Sequence, residues 1–347
     1  MSKESTIPEI NLVNNDPEIK MSVLPQQEEL AWQEYVPIGS EEYEQANQER
    51  IAYGKIKVVR FGNDKHAVTL VASIKIDPKT GLAISGHEYQ PEAESMQDTK
   101  IAFEEYLDDT LPEQRLIIYE GDERVFTDRD EAIMKAADSG LVQHLATKEQ
   151  IPAVSGEPDN DEVLEYMKQL GVAQEEILAL SVAQGLESFV DSDESEFLAG
   201  YINYRAAVLG IEGFHEYTEE EKLDIKNSGR RLDELKTELN SKVQKLLPML
   251  NGLYKPVLDG KDLFIMSKGA VSINPEFVGD VADITMNKLS WSGENRINEV
   301  AKLSIEMRDR VIYHRIIEAY KSGKSPFVVY GGSHVVTLTP ALRVYIG

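Results

Sequence analysis

The chain has no cysteine among its 347 residues. This absence excludes disulfides, thiolate nucleophiles and cysteine-ligated zinc, so a bound metal would have to use histidine, aspartate or glutamate. No apolar run reaches the roughly 18 residues that a membrane-spanning helix needs. The first residues also lack the basic and then apolar pattern of a signal peptide. We therefore expect a cytoplasmic protein without a membrane partner.

Positive charge is scarce as well. The chain has 36 lysines and arginines against 61 aspartates and glutamates, which gives a net charge of −25 at pH 7. Its basic residues are not gathered into a patch along the sequence. A chain of this kind repels the phosphate backbone of nucleic acids. We therefore predict no nucleic-acid partner.

The chain has 41% hydrophobic residues, which is enough to form a substantial core, and its pattern indicates an α/β fold. Two β-rich segments, 56–61 and 67–74, flank a turn at Gly62 and predict a hairpin. Residues 116–119 and 151–154 are short unbroken apolar runs, which are typical of strands buried on both faces. A helical stretch separates the two runs. The alternation of strand and helix predicts a largely parallel sheet with right-handed crossovers.

The sequence divides into four predicted parts. Residues 1–50 are polar and lack a sustained period, which predicts a mostly disordered acidic tail. Residues 51–160 form the amino-terminal α/β half, and residues 259–347 form the carboxyl-terminal half that completes the sheet. Between them, 161–258 is predicted to be a helical insertion or cap. A leucine stripe in the insertion packs either within the chain or between chains, so a homo-oligomer remains an alternative. The predicted fold is thus a central mixed, largely parallel sheet flanked by helices.

The last third of the chain carries the strongest candidate for chemistry. A helix containing Arg308 precedes the apolar strand 326–330, and His334 follows within Gly-Gly-Ser-His. This order delivers His334 to the carboxyl end of a buried strand, where open α/β sheets form their ligand crevices. Glu120 and Glu157 follow the two earlier strands and are predicted to face the same crevice.

These motifs resemble the carboxyl-terminal signature of the TraB, Tiki, ChaN and erythromycin-esterase superfamily, in a TraB- or GumN-like branch. The positions similar to this signature are Arg308, Gly323 and His334, and Glu120 and Glu157 are similar to the strand-end glutamates in the family's amino-terminal half. Asp309 stands where the TraB and Tiki branches usually have asparagine. The family's first motif, a glycine followed by a spaced histidine, is similar to Ser-Gly-His-Glu at 85–88 in compressed form. That spacing leaves His87, Glu88 and His66 as alternatives for this position.

The site residues suggest hydrolytic chemistry by two routes. In one, His87, Glu120, Glu157 and His334 hold a divalent metal such as manganese, cobalt or zinc, and Arg308 stabilises negative charge that develops on the substrate. In the other, which the esterase branch of the resemblance implies, a carboxylate and a histidine activate water without a metal.

The resemblance implies a peptidase for the Tiki type and an esterase for the erythromycin-esterase branch, with a peptide or small-molecule substrate. The ChaN branch implies instead a non-catalytic protein that binds iron, haem or another small ligand. A third interpretation is an interaction module, in which the acidic tail and the helical insertion bind a partner.

Overall fold

The computed structural model describes residues 25–46, 57–63, 66–73, 94–121, 124–158, 160–186, 195–215, 232–267, 270–274, 276 and 295–347. The chain divides into two compact units. Unit 1 comprises Met1–Asp159 and Arg308–Gly347, and unit 2 comprises Asn160–Met307. The second unit therefore extends beyond residue 258, where we predicted that the helical insertion would end.

Unit 1 contains a five-stranded mixed sheet in the order β1-β2-β7-β3-β4. Its strands are β1 Lys57–Asn63, β2 His66–Ser73, β3 Arg115–Tyr119, β4 Ala153–Ser155 and β7 Ser325–Gly331. The edge strand β1 pairs with β2 in the antiparallel sense, as the predicted hairpin requires, and the other neighbours are parallel. The predicted α/β fold with a mixed, largely parallel sheet is confirmed.

The central strand β7 is buried along its whole length, because parallel sheets carry helices on both faces. Alternate side chains of β7 enter two different apolar clusters. Val328 and Tyr330 pack with side chains of the carboxyl-terminal helices, whereas Phe327 and Val329 pack with the helices that follow β2 and β3. This alternation is the two-residue period of a strand.

The helices of unit 1 include α1 Gln26–Trp32, α2 Glu94–Asp109, α3 Arg129–Glu149, the second part of α9 Arg296–Lys321, and α10 Gly332–Ile346. Gly323 adopts a positive φ of 85° after α9, which is the helix-ending conformation that glycine favours. Strand β7 then begins at once. Helix α10 starts directly from the end of β7, so the motif around His334 forms a strand-to-helix junction.

The prediction of a disordered tail is wrong for residues 25–46. Helix α1 and the turn after it bury Ala31, Trp32 and Tyr35 in the same cluster as α9 and α10. The rings of Trp32 and Tyr35 stack with centroids 4.4 Å apart. The segment is short of apolar residues, but its few aromatic rings bury large areas, and that burial offsets the entropy of ordering the chain.

Unit 2 is mainly helical and has its own apolar core. Its elements are α4 Asn160–Gln169, α5 Gln174–Gly185, α6 Ser195–Val208, α7 Leu232–Val243, α8 Leu247–Tyr254, the antiparallel pair β5 Phe264–Ser267 and β6 Ala270–Ile273, and the first part of α9. From the predicted leucine stripe, Leu239, Val243 and Leu246 pack into this core. None of the helices in the described ranges is long and apolar enough to cross a membrane.

Candidate functional site

The parallel strands place the predicted site residues at one edge of the sheet. Tyr119, the last residue of β3, is in register with Val329 of β7 and with Ser155, the last residue of β4. Glu120 and Glu157 therefore leave the sheet at the same edge. His334 lies in the first turn of α10, which begins at this edge as β7 ends.

Arg308 joins the two glutamates in an arrangement that we call the ion-pair cluster (Arg308, Glu157 and Glu120). Its Nε and Nη2 donate to the two carboxylate oxygens of Glu157 at 2.9 and 2.8 Å. Nη2 also lies 3.9 Å from Glu120 Oε1, and the other oxygen of Glu120 accepts from the Gly331 N–H at 2.8 Å. Two-point contact of this kind fixes the plane of the guanidinium. Helix α9 and three strand ends are thereby held together.

The ion-pair cluster keeps Arg308 charged. Burial alone would lower the pKa of Arg308, but the carboxylates of Glu157, Glu120 and Asp309 outweigh that effect and raise the pKa further above its usual value. The Arg308 side chain is still 30% exposed. It is therefore a permanent cation that a ligand at the sheet edge can approach.

The loop that carries Glu157 is fixed by backbone contacts. The Ser155 hydroxyl donates to the carbonyl oxygen of Gly121 at 2.6 Å and accepts from the Glu157 N–H at 3.2 Å. The guanidinium of Arg315, two turns beyond Arg308 on α9, donates to the carbonyl oxygens of Ser155 and Glu157. The ends of β3 and β4 are thus tied to each other and to α9.

His334 and Asp309 form the second part of the site, which we call the histidine pair. His334 Nδ1 contacts Asp309 Oδ1, and the two residues are 5% and 0% exposed. The other oxygen of Asp309 accepts from the hydroxyls of Tyr35 at 2.8 Å and Thr337 at 2.7 Å. Both oxygens of the buried carboxylate are engaged by hydrogen-bond donors, so Asp309 holds the imidazole in one orientation.

Two consecutive residues of α9, Arg308 and Asp309, each contribute a side chain to one of these two parts. Arg308 and Asp309 have Cα atoms about 3.8 Å apart, but successive side chains of a helix point about 100° apart around its axis. Arg308 therefore reaches the glutamates, while Asp309 turns into the buried side of α9 and meets His334.

Tyr330 lies between the two parts. Its ring contacts the ring of His334 edge-on with centroids 5.6 Å apart. Its hydroxyl is buried and has no hydrogen-bond partner within the described part of the chain. Burial, followed by the charge of Glu157, raises the pKa of Tyr330 well above its usual value, so the hydroxyl keeps its proton. A Cβ on Gly156 would lie 2.3 Å from this hydroxyl, which explains why glycine is needed there.

The predicted metal ligands do not form a suitable donor set where the structure describes them. Both oxygens of Glu157 accept from Arg308, and one oxygen of Glu120 accepts from a backbone amide. A guanidinium cation beside both carboxylates also opposes a second cation. His87 and Glu88 lie outside the described residues.

The third alternative for the first motif, His66, is at the wrong end of β2. His66 begins this strand, so it lies about 23 Å from the carboxyl edge, at 3.3 Å per residue. Its Nε2 lies 2.8 Å from the carbonyl oxygen of Lys324, and its ring stacks on Tyr320. These contacts identify His66 as a structural residue.

In the described ranges, one group of side chains has the spacing of metal ligands, and it is not the predicted one. Glu28, His314 and Glu318 bring ligand atoms within 4.8 Å of one another. The Lys321 ammonium already lies 2.9 Å from Glu28 and 2.7 Å from Glu318. This group therefore holds α1 on α9 by charge pairing. A haem site is not favoured at the sheet edge either, because the tyrosine and histidine there are buried.

Sequence reasoning missed the residues that complete the histidine pair. Thr337 lies three residues after His334, which places both on one helix face, and this spacing is a signal that could have been used. In the sequence, Asp309 stands out only as a departure from the family pattern. Tyr35 gives no local signal, because 274 residues separate it from the carboxylate that it contacts.

No family model matches the chain, and comparisons with curated proteins and with solved structures also find no match. The resemblance to the TraB, Tiki, ChaN and erythromycin-esterase superfamily therefore stays a prediction that depends on the motifs alone.

Proposed function

We propose that the sheet edge is the active site of a hydrolase that cleaves an ester or a peptide bond with His334 as the general base. The histidine pair is the observation that carries this proposal. A buried carboxylate holds one nitrogen of a histidine, and the other nitrogen is left for chemistry. The hydroxyls of Tyr35 and Thr337 donate hydrogen bonds to the second oxygen of Asp309 and keep this geometry fixed.

The reaction needs a single water molecule as the nucleophile. The Nδ1–H of His334 donates a hydrogen bond to Asp309, so Nε2 carries the free lone pair. Nε2 removes a proton from water as the water oxygen bonds to the carbonyl carbon. The imidazolium then returns that proton to the leaving oxygen or nitrogen as its bond to carbon breaks. Asp309 stabilises the imidazolium between the two steps.

Arg308 is the electrophilic partner in this scheme. Its positive charge stabilises the negative oxygen that forms when water adds to the carbonyl group. Glu157 and Glu120 act as positioning residues, because they hold the guanidinium through its Nε and Nη2 atoms. The motif resemblance points to the same reaction class. The metal route receives no support from the donor set, so no step depends on a metal.

A second candidate is a non-catalytic protein that binds a small ligand at this edge. The observation that favours it is the low exposure of His334, together with charges in the ion-pair cluster that already satisfy one another. In that case Arg308 recognises an anionic ligand, and the histidine pair is structural.

The decisive experiment assays the full chain against nitrophenyl esters of graded acyl length and against chromogenic peptides. We expect His334→Ala to lower kcat/KM for the best substrate by about 10²- to 10⁴-fold, the usual contribution of a general base. His66→Gln is the matched control, because His66 lies at the opposite end of the sheet, and it should retain full activity. Equal rates for wild type and His334→Ala would contradict the proposal and favour the ligand-binding candidate.

The metal route is tested in the same assay. The enzyme is dialysed against a chelator, its metal content is measured, and the rate is compared before and after. We expect the rate to be unchanged. A loss of activity that manganese, cobalt or zinc restores would contradict the metal-independent mechanism while leaving hydrolysis itself established.

A further inference from the structure

Unit 1 also contains a cavity between α2 and α3. The cavity has a volume of about 320 Å³ and shares no lining residue with the sheet edge. Its lining includes Lys100 of α2 and Arg129, His144 and Lys148 of α3. Every titratable side chain in the lining is basic, although the chain as a whole carries a net charge of −25.

Two carboxylates that pair with these cations lie outside the cavity lining. Lys100 Nζ lies 3.5 Å from Glu104, and Arg129 Nη1 lies 3.3 Å from Asp130. Both carboxylates are more than half exposed and do not line the cavity. Ion pairs at such exposed positions are weak, so a ligand oxygen can replace them.

A sharp reversal in α3 builds the cavity. In a straight helix, Arg129 and Lys148 would be about 28 Å apart along the axis, at 1.5 Å per residue. The helix leaves its regular geometry at Ala136 and Ala137, and Ala137 has φ 50° and ψ −132°, which is a strained conformation for alanine. The two halves of α3 therefore fold toward each other, and its first and last turns line one cavity.

Close packing holds this reversal in place. A Cβ on Gly140 would lie 2.0 Å from the carbonyl oxygen of Ala132, so only glycine permits the approach of the two halves. The buried Asp138, next to the reversal, accepts a hydrogen bond from Thr99 of α2 at 2.5 Å. The hydrogen bond ties the second half of α3 to the helix on the other side of the cavity.

The base of the cavity is apolar, and one ring nitrogen of its histidine is engaged. Leu141 is fully buried and Leu145 partly buried. His144 Nδ1 lies 3.3 Å from the carbonyl oxygen of Phe126. A carbonyl oxygen can only accept, so the Nδ1–H of His144 donates to it. The cavity therefore offers positive charge beside an apolar surface.

We propose that this cavity binds a small phosphorylated molecule. The side chains of Lys100, Arg129 and Lys148 contact the phosphate oxygens, and Leu141 and Leu145 support the organic part. A phosphate monoester has three outer oxygens and close to two negative charges, which suit cations from separate positions. A carboxylate carries only one negative charge, and a single arginine can pair with it. The site is independent of the proposed hydrolase.

The test is calorimetric titration of the full chain with phenyl phosphate, benzoate and inorganic phosphate at neutral pH and constant ionic strength. We expect one phenyl phosphate per chain, bound about tenfold more tightly than benzoate, because a second charge-assisted contact forms. Inorganic phosphate should also bind more weakly than phenyl phosphate, because it leaves the leucines uncovered.

Substitutions of residues on α3 distinguish binding in the cavity from non-specific electrostatic attraction of the anion. Arg129→Gln and Lys148→Gln should each weaken phenyl phosphate by at least about tenfold, as expected for the loss of a charged hydrogen bond. Lys135→Gln is the matched control, because Lys135 is on the same helix, pairs with Glu131 and does not line the cavity. It should bind like wild type. No saturable binding, equal affinity for the three probes, or an equal loss in Lys135→Gln would overturn the proposal.

Discussion

The ion-pair cluster and the histidine pair occupy one edge of one sheet, but they are built in different ways. The ion-pair cluster is partly open to solvent and joins residues that follow directly from strands or lie on α9. The histidine pair is buried, and its carboxylate depends on a tyrosine from the far end of the chain. The comparison shows that a partly exposed charge network can orient a bound ligand. A buried pair can instead hold one proton on a defined nitrogen of the histidine.

The largest effect on stability is expected at the histidine pair. Asp309→Ala removes a carboxylate that accepts from His334, Tyr35 and Thr337 in the core. Loss of these three buried hydrogen bonds, at about 1–1.5 kcal/mol each, costs about 3–5 kcal/mol in the free energy of unfolding. Urea unfolding followed by circular dichroism measures the loss. A loss below about 1 kcal/mol, the value for exposed pairs, would remove the contrast between the two parts.

A smaller effect is expected at the ion-pair cluster. Arg308→Ala leaves Glu157 and Glu120 without their guanidinium, but solvent reaches this cluster and compensates part of the charge. We expect a loss of about 1–3 kcal/mol, since Glu157 loses its charged hydrogen bonds and Glu120 loses a nearby positive charge. Arg308→Lys should keep the charge and lose the two-point contact with Glu157. The same unfolding assay applies, and a loss larger than that of Asp309→Ala would reverse the expected order.

The packing of Gly156 against Tyr330, the residue between the two parts, gives a sharper test. Gly156→Ala places a Cβ 2.3 Å from the Tyr330 hydroxyl and 2.8 Å from Ile118. Such overpacking costs about 1–3 kcal/mol. In a Tyr330→Phe background the first clash is gone, so the same substitution should cost less. A double-mutant cycle measures this difference, and additive effects of the two changes would show that the hydroxyl does not fill the space beside Gly156.

The smallest change is expected at the amino-terminal segment. Tyr35→Phe removes one of two hydroxyl donors to Asp309 and keeps the stacked ring, so we expect a loss of about 0.5–1.5 kcal/mol. Tyr320→Phe is the matched control, because Tyr320 contacts His66 through its ring. It should unfold like wild type. Equal stability of all three proteins would show that residues 25–46 contribute nothing to the histidine pair.

The same comparison explains how far the sequence could predict the molecule. The strands, their parallel order and the convergence of Glu120, Glu157 and Arg308 at one edge follow from apolar runs and from the residues after them. These are local patterns. The partner of His334 could not be predicted in the same way, because a helix can turn Asp309 toward either side of α9. Tyr35 was missed because composition averages hide a few aromatic residues in a polar segment. The reversal in α3 also has no signal beyond Gly140.

The central claim is that Asp309 holds His334 with a lone pair on Nε2, and the ratio of kcat/KM between wild type and Asp309→Asn tests it most directly. Asparagine has nearly the same shape but can present an N–H to Nδ1, which moves the histidine proton to Nε2 and removes the base. The account predicts a fall of about 10²- to 10⁴-fold on the best ester or peptide substrate, with the fold unchanged. A ratio within twofold of unity would contradict it.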